Sequence, residues 1–332
     1  MVKYILRRLL LVIPIVLGAM TLLFAAFFIV PGDPVSAMAG ERSVNAVTRA
    51  NIEQKLGLDK PWYVQYEKFI VRTAHGDLGT SYKGTKSVNS ILKRTAPASI
   101  RLALWAIAFE VLIGVVSGVI SAVKRYSFLD TFTTVSTTMV VAIPVFVLGY
   151  LFQFMLGIYA HQHNWPRWLH FPVQGIGPNK WYLWIIPAGH QWKYLFLPAI
   201  VLASVSTAIV ARMMRSTMLE VMGADYMRTA AAKGLSKRAI IIKHGMKNAM
   251  IPVVTLIGLD LASVIGSAIL TESVFNWPGM GSEIANAIRQ LDAPIVLGLT
   301  LVLVVFYILI NLLVDISYAF FDPRIRYGKE AN

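Results

Sequence analysis

The stretch DYMRTAAAKGLSKRAIIIKHGMKNAMIP, residues 225–252, carries six Lys and Arg among small alanines, with a glycine inside and a proline at its end. It lies between two apolar runs, Tyr194–Met214 and Ile251–Leu270, each about as long as the 20 or so apolar residues that a bilayer-spanning helix needs. Within it, Asp225 reads as a helix N-cap and Tyr226–Lys233 as about two turns of helix. Gly234 reads as the residue that ends that helix in a left-handed conformation. Ser236 then caps a second helix that leads into the next apolar run at Pro252. A helix of two turns is marginal in water, so contacts must hold the first one. The small side chains of Ala230, Ala231 and Ala232 let another backbone approach closely. The stretch is therefore either a solvated basic loop or a docking element for a partner on its side of the membrane.

Outward from this hairpin the chain repeats the same alternation. Four more apolar runs qualify as spans: Leu9–Val30, Ser99–Val123, Phe132–Tyr159 and Ile295–Phe320. The first is longer than the 7–15 residues of a signal-peptide core, so it reads as a retained span. The chain is 56% hydrophobic and 14% charged, against roughly 25% charged in soluble domains. The fold class expected is all-α: a polytopic membrane protein with six transmembrane helices and a folded extracytoplasmic loop after the first.

The net charge of +14 does not point to nucleic acid, because the basic residues cluster beside apolar runs. They report orientation instead. Lys3, Arg7 and Arg8, then Lys124 and Arg125, the eight Lys and Arg from Arg212 to Lys247, and Arg324, Arg326 and Lys329 fall on one side. The opposite short loops, 160–193 and 271–294, hold only Arg167, Lys180, Lys193 and Arg289. Both termini and the hairpin are thus expected in the cytoplasm. The long loop Pro31–Ala98 holds ten basic residues, but a loop of that length crosses largely regardless of charge. Trp165, Trp168, Trp181, Tyr182, Trp184 and Trp192 crowd the loop 160–193, as expected of an aromatic belt at the outer interface.

Catalytic chemistry is not legible. The nearest phosphate cradle, GTSYKGTKS at 79–87, places Thr85 where the motif needs lysine, so no ATP site is expected in this chain. The absence of cysteine removes thiolate metal sites and Cys nucleophiles. His161, His163 and His170 form a loose cluster with no carboxylate interleaved, which favours interfacial histidines over a metal centre. His244 reads as a structural hydrogen-bonder at a helix junction, and no Ser/His/Asp arrangement is visible.

Two carboxylates lie within the apolar runs, where ionisable groups are functional candidates by default. At helical spacing Asp260 shares a face with Ser263, Ser267 and Thr271, opposite a small-residue stripe of Gly258, Ala262 and Gly266. Glu110 shares a face with Gly114, Ser117, Gly118 and Ser121. Each carboxylate either lines a polar path or hydrogen-bonds a neighbouring helix. Both readings stay open at this point.

The hairpin resembles the cytoplasmic coupling loop of ABC importer permeases of the dipeptide/oligopeptide/nickel family. Tyr226, Arg228, Thr229, Ala230, Ala232, Lys233 and Gly234 match it, followed by His244, Asn248, Ala249 and Pro252. Arg228, Thr229 and Ala230 stand where importers in general carry Glu-Ala-Ala, as in the peptide branch. The resemblance extends to PGDP at 31–34, LGLDKP at 56–61, HGDLG at 75–79, ILTESVFNWPGMG at 269–281 and DPRIR at 322–326. It implies a first helix over 1–30, an extracytoplasmic loop over 31–98 and a cytoplasmic tail over 322–332. Between these, 99–321 would form the transmembrane domain, with its coupling loop at 215–250.

By the same resemblance Asp225, Tyr226, Arg228, Thr229, Ala230, Ala232, Lys233 and Gly234 would sit in a groove of an ATP-hydrolysing subunit. The partners implied are a homologous second permease, two ATPase subunits, an extracytoplasmic substrate-binding protein and a peptide substrate, within membrane lipid. ATP and Mg would be bound by the ATPases, with no cofactor, metal or catalysis in this chain. Asp260, Ser263, Ser267 and Glu110 are candidates for the translocation path; Glu110 and Asp260 depart from the family pattern at their positions. The rivals are a nickel or other small-solute importer, an ion-coupled secondary transporter and a structural scaffold. Secondary transporters often carry Gly/Pro-broken spans at corresponding positions of two repeats, which this chain lacks.

Overall fold

The computed structural model describes residues 2–29, 35, 45–56, 60–81, 86–290 and 292–321. The segments PGDP and DPRIR and the tail 322–332 lie outside the described residues, as does part of GTSYKGTKS. The described residues are helical almost throughout, and among them six helices are long and apolar enough to cross a membrane. The elements are α1 (Val2–Phe24), α2 (Ala46–Leu56), α3 (Trp62–Ala74), α4 (Val88–Val123), α5 (Phe128–Ala142), α6 (Val145–Phe152), α7 (Gln191–Met222), α8 (Asp225–Ala232), α9 (Lys247–Val274), α10 (Met280–Gln290) and α11 (Ala293–Phe321). A two-residue hairpin, β1 (Trp181–Tyr182) with β2 (Ile186–Pro187), is the sheet among the described residues. The chain divides into two compact units, one of residues 1–98 with 279–332 and one of residues 99–278.

In the first unit α1 packs on α3 and α11. Phe24, 2% exposed, anchors α1 against the rings of Phe28, Tyr66 and Phe69. The HGDLG segment turns the chain between α3 and α4. Asp77 accepts from the Gly79 N–H at 2.9 Å and from Arg72 Nε at 3.0 Å. The Gly79 N–H, which outweighs the opposing effect of burial, and then Arg72 hold the Asp77 carboxyl below its ordinary value. The first turns of α4 bury Val88, Ile91, Thr95 and Ala98, a spacing that places them on one helical face. This amphipathic lead-in puts the start of α4 well before Ser99, because its polar residues break the apolar run without breaking the helix. An ion pair joins Arg94 to Glu283, and Ser81 donates to Asp292.

The second unit is built around α7. Leu195, Leu197, Val201, Val210, Met214 and Met218 along it are each at most 1% exposed. The helices α9, α5 and α6 all pack on it. Helix α4 reaches it through two missing side chains. A Cβ at Gly114 would sit 2.8 Å from Val210 Cγ1, and one at Gly118 would sit 2.6 Å from the Ala211 carbonyl oxygen. Gly114 and Gly118 thus let α4 pack closely on α7.

The third apolar run is not one helix. Ile143 is extended (φ −94°, ψ 126°) and Pro144 follows it as the N-cap of α6. Proline disfavours helical backbone at the residue before it and cannot donate the next helix bond. The run therefore splits into α5 and a helix that continues past Val145 to Gln162. A π-helical segment, Gln153–Tyr159, follows α6. Its first residue, Gln153, donates from Nε2 to the carbonyls of Val173 (2.8 Å) and Val274 (2.9 Å).

The contact at Gly118 generates a test. Gly118→Ala places a methyl against a backbone carbonyl, which cannot swing aside, and overpacking of this kind costs about 1–3 kcal/mol. Gly266, with no described residue within 4 Å of an added Cβ, is the control. Thermal unfolding of the purified chain should fall for Gly118→Ala and hold for Gly266→Ala. Equal stability of the two variants would contradict the packing.

Candidate coupling site and intramembrane carboxyls

Helix α8 begins at Asp225 itself, after Ala224 in extended conformation (φ −73°, ψ 148°) with no side-chain cap. Asp225 is thus a first-turn acid, favourable for the helix dipole, and not the N-cap expected from sequence. The other end matches the expectation: Gly234 has φ +78°, and Ser236 Oγ accepts from the Ala239 N–H. Only two α8 side chains turn inward, Met227 (5% exposed) and Ala230 (6%). Ala230 is therefore spent on the chain's own packing, while Ala231, Ala232, Arg228, Thr229 and Lys233 stay exposed. Tyr226 is 42% exposed and accepts on its hydroxyl from Asn248 Nδ2 at 2.9 Å.

The inward face has a defined seat. A second π-helical segment, Ile240–Met246, leads into α9 and contains buried Gly245. A Cβ there would lie 2.6 Å from Met218 Cε and 3.3 Å from Met227 Cε. The missing side chain thus lets a methionine from α7 and one from α8 meet over the same spot. Met218 belongs to a core with Val115, Val210, Met214, Ala249 and Val253, which joins α4, α7 and α9. Thr217 Oγ1 adds a hydrogen bond to the Ala249 carbonyl at 3.1 Å. Pro252, expected to mark the entry to the fifth span, lies inside α9.

Sequence reading missed one group on this side of the unit. Asp130 on α5 takes both forks of Arg215 on α7, Nε at 2.7 Å and Nη2 at 2.9 Å. Ser121 Oγ and the Tyr126 N–H also donate to it. The Arg215 guanidinium, then Ser121 and Tyr126, hold the Asp130 carboxyl far below the usual carboxylate range despite burial. A carboxyl depressed on folding stabilises above its unfolded value and loses that contribution only as pH falls through its folded value. This clamp therefore persists well into acid. The Ser-x-x-Asp cap at 127–130 was legible, but its partner lies 85 residues on.

Deeper in the unit, Glu110 Oε1 and Asp260 Oδ2 are buried and accept no hydrogen bond from a described residue. Glu110 is 1% exposed. Ser263 Oγ donates to Asp260 Oδ1 at 2.6 Å. Ser263 and Ser267 are exposed, while Thr271 is buried. The small stripe opposite is only partly used: Ala262 is buried, but no described residue lies within 4 Å of a Cβ added at Gly266. A third intramembrane carboxylate escaped sequence reading, because the apolar run was ended at Leu270. Glu272, fully buried, accepts from Ser99 Oγ at 2.6 Å.

The outer loop 160–193 mixes belt and core. Trp168 is 70% exposed, but Trp192 packs on Trp105, Phe109 and Phe196. Arg101 lies 4.5 Å from the Trp181 ring and donates to the Trp184 carbonyl. His161 and His170 come together with ring centroids 5.2 Å apart, whereas His163 stacks on Tyr159. Among the described residues no three potential metal ligands converge.

Comparison with known proteins gives these features a context. Residues 114–327 match the family described as binding-protein-dependent transport system inner membrane component, and residues 1–103 match the family describing the N-terminal part of such membrane components. The chain is 38% identical to the dipeptide transport system permease protein DppB of Escherichia coli (strain K12), over 99% of this chain and all of that protein. It is 38% identical to the DppB of Alkalihalophilus pseudofirmus over 98% of this chain and all of that protein. It is 37% identical to the di/tripeptide transport system permease protein DppB of Pseudomonas aeruginosa, over 99% of this chain and all of that protein. The multi-pass helical chain, with its anchored two-turn helix between α7 and α9, thus belongs to the family of binding-protein-dependent transport system inner membrane components.

Proposed function

We propose that this chain is one permease half of an ATP-driven importer of di- and oligopeptides, and that α8 is its coupling helix. The observation that carries the reading is the division of α8 into two faces. Met227 and Ala230 bind it to the chain's own core, while Tyr226, Arg228, Thr229, Ala232 and Lys233 face outward. A short helix with a fixed inner face and a free polar outer face can pass a push from a partner into α7 and α9 as a packed body. Asp225 and Gly234 bound that element.

The partners in this reading are a homologous second permease, two ATPase subunits that bind ATP and Mg²⁺, and an extracytoplasmic substrate-binding protein. The peptide substrate follows from relatives named as dipeptide and di/tripeptide permeases. Both termini and α8 face the cytoplasm in this reading, supported by the distribution of Lys and Arg. Asp260, Ser263 and Ser267 line the path, a role supported by the exposure of Ser263 and Ser267 and by the hydrogen bond from Ser263 to Asp260; Glu110, assigned to the path by sequence, is 1% exposed and has no support for that role.

Three measurements test it. Vesicles holding this chain with its partner permease, ATPases and binding protein should take up labelled dipeptide only when ATP is supplied. Uptake that persists without the ATPases and follows an ion gradient would overturn the importer. For orientation, Lys237→Cys should react with an impermeant thiol reagent only in opened cells, and Lys180→Cys should react in intact cells or spheroplasts. Both positions are exposed and the chain has no native cysteine, so the reverse pattern would be decisive against it.

The third concerns Gly234, which has open space around it, so only its backbone conformation constrains substitution. A left-handed conformation costs an ordinary L residue about 1–2 kcal/mol, or about tenfold in an equilibrium. Gly234→Val should weaken ATPase association about tenfold, while Gly234→Asn, which tolerates this region, should stay near wild type. Equal behaviour of the two variants would remove Gly234 from the mechanism.

A further inference from the structure

Between Val123, the last residue of α4, and Phe128, the first of α5, lie Lys124, Arg125, Tyr126 and Ser127. The apolar runs on either side, Ser99–Val123 and Phe132–Tyr159, are long enough to span a bilayer. A connection this short between them stays at the level of the lipid headgroups. Its backbone is fixed. Tyr126 has φ +64°, a region that a bulky residue rarely adopts. Three hydrogen bonds hold the turn: the Tyr126 N–H donates to Asp130 Oδ2 (2.9 Å), the Ser127 N–H to the Lys124 carbonyl (3.0 Å) and the Asp130 N–H to Ser127 Oγ (3.4 Å). Backbone strain that the surroundings over-determine in this way points to a function for what the turn presents.

What it presents is two cations beside three exposed rings. Tyr126 is 81% exposed and Phe128 80%. Phe132, its ring stacked 6.1 Å from that of Phe128, is 60% exposed. The Arg125 guanidinium lies over the Tyr126 ring, 4.5 Å from its centroid. A ring face orients a guanidinium but takes none of its N–H groups as a carboxylate would. Lys124 and Arg125 are exposed, and neither is ion-paired with a described carboxylate. The acid nearest in sequence, Asp130, is taken by both forks of Arg215, so the turn keeps both positive charges. We propose that this turn is a binding site for one anionic phospholipid, with Lys124 and Arg125 on its phosphate and Tyr126, Phe128 and Phe132 against its glycerol and upper acyl chains.

Two features favour lipid over a soluble acidic partner. The cations and the rings sit together at the end of an apolar run, where headgroup phosphate and hydrocarbon also meet. Each Lys or Arg at an anionic membrane surface contributes about fivefold in an equilibrium. An anionic headgroup is preferred to a zwitterionic one, because the zwitterion's own ammonium offsets its phosphate.

Native mass spectrometry of the full chain in detergent, titrated with phosphatidylglycerol or phosphatidylcholine, reads the site. No partner subunit is present, so the outcome is independent of the importer reading. Wild-type chain should retain phosphatidylglycerol in preference to phosphatidylcholine. K124Q/R125Q should weaken retention of phosphatidylglycerol about tenfold or more and lose the preference, while K124R/R125K should keep it. F128S should weaken retention of both lipids and leave the preference in place. K180Q, which removes an exposed lysine elsewhere, should behave as wild type. These side chains are exposed, so thermal unfolding of every variant in lipid-free detergent should match wild type. Equal retention of the two lipids by wild type, or a preference that survives in K124Q/R125Q, would overturn the proposal. Displacement of phosphatidylglycerol by an equal concentration of inorganic phosphate would also overturn it, assigning the cations to a soluble anion. Unchanged lipid retention in K124Q/R125Q with loss of ATPase association would assign the turn to a protein partner and overturn it as well.

Discussion

Close backbone approach onto α7 is the constraint on which the second unit depends. Gly118 of α4 abuts the Ala211 carbonyl, and Gly114 abuts Val210 and the Thr207 carbonyl. In a bilayer the lipid tails are as apolar as the side chains, so hydrophobicity alone does not hold two helices together; tight packing and interhelical hydrogen bonds do. Bringing α4 this near is what allows Ser121, one turn past Gly118, to join Arg215 of α7 and Asp130 of α5 in a single network. Breaking a buried pair of this kind by removing one partner typically costs about 3–5 kcal/mol. Arg215 is still 30% exposed, so the lower end applies here.

The same helix carries the seat for α8. Met218 lies one turn beyond Met214 on α7's buried face, and Gly245 clears the space in which Met218 and Met227 meet. Methionine is flexible enough to fill such an irregular gap. The result is a short helix fixed to the end of a long, buried one. Displacing α8 therefore acts on α7 and α9 together, and the polar outer face remains available to a partner.

Much of this was legible in the sequence, and the misses have physical causes. Gly234 and Ser236 were readable because a left-handed stop and an N-cap are local properties of the chain. Asp225 was misplaced by one position, since Ala224 can begin a helix without a capping side chain when the helix is held by packing. The break at Pro144 was readable in principle, but hydropathy cannot distinguish one long helix from two short ones in an apolar run. Asp130 with Arg215 could not be paired from one sequence, because the pair joins helices far apart along the chain. Glu272 was missed because a hydropathy boundary fell before it. Ala230 was assigned to a partner's groove from the family resemblance, whereas its helical phase relative to Met227 points it inward.

The central claim is that α8 is held by its own chain before any partner arrives. Hydrogen–deuterium exchange on the full chain in nanodiscs measures this. The account predicts that amides 227–233 are protected comparably to the end of α7, and that Met227→Ala releases them while α7 stays protected. Rapid exchange of those amides in the wild-type chain, with protection appearing only after the ATPases are added, would contradict it.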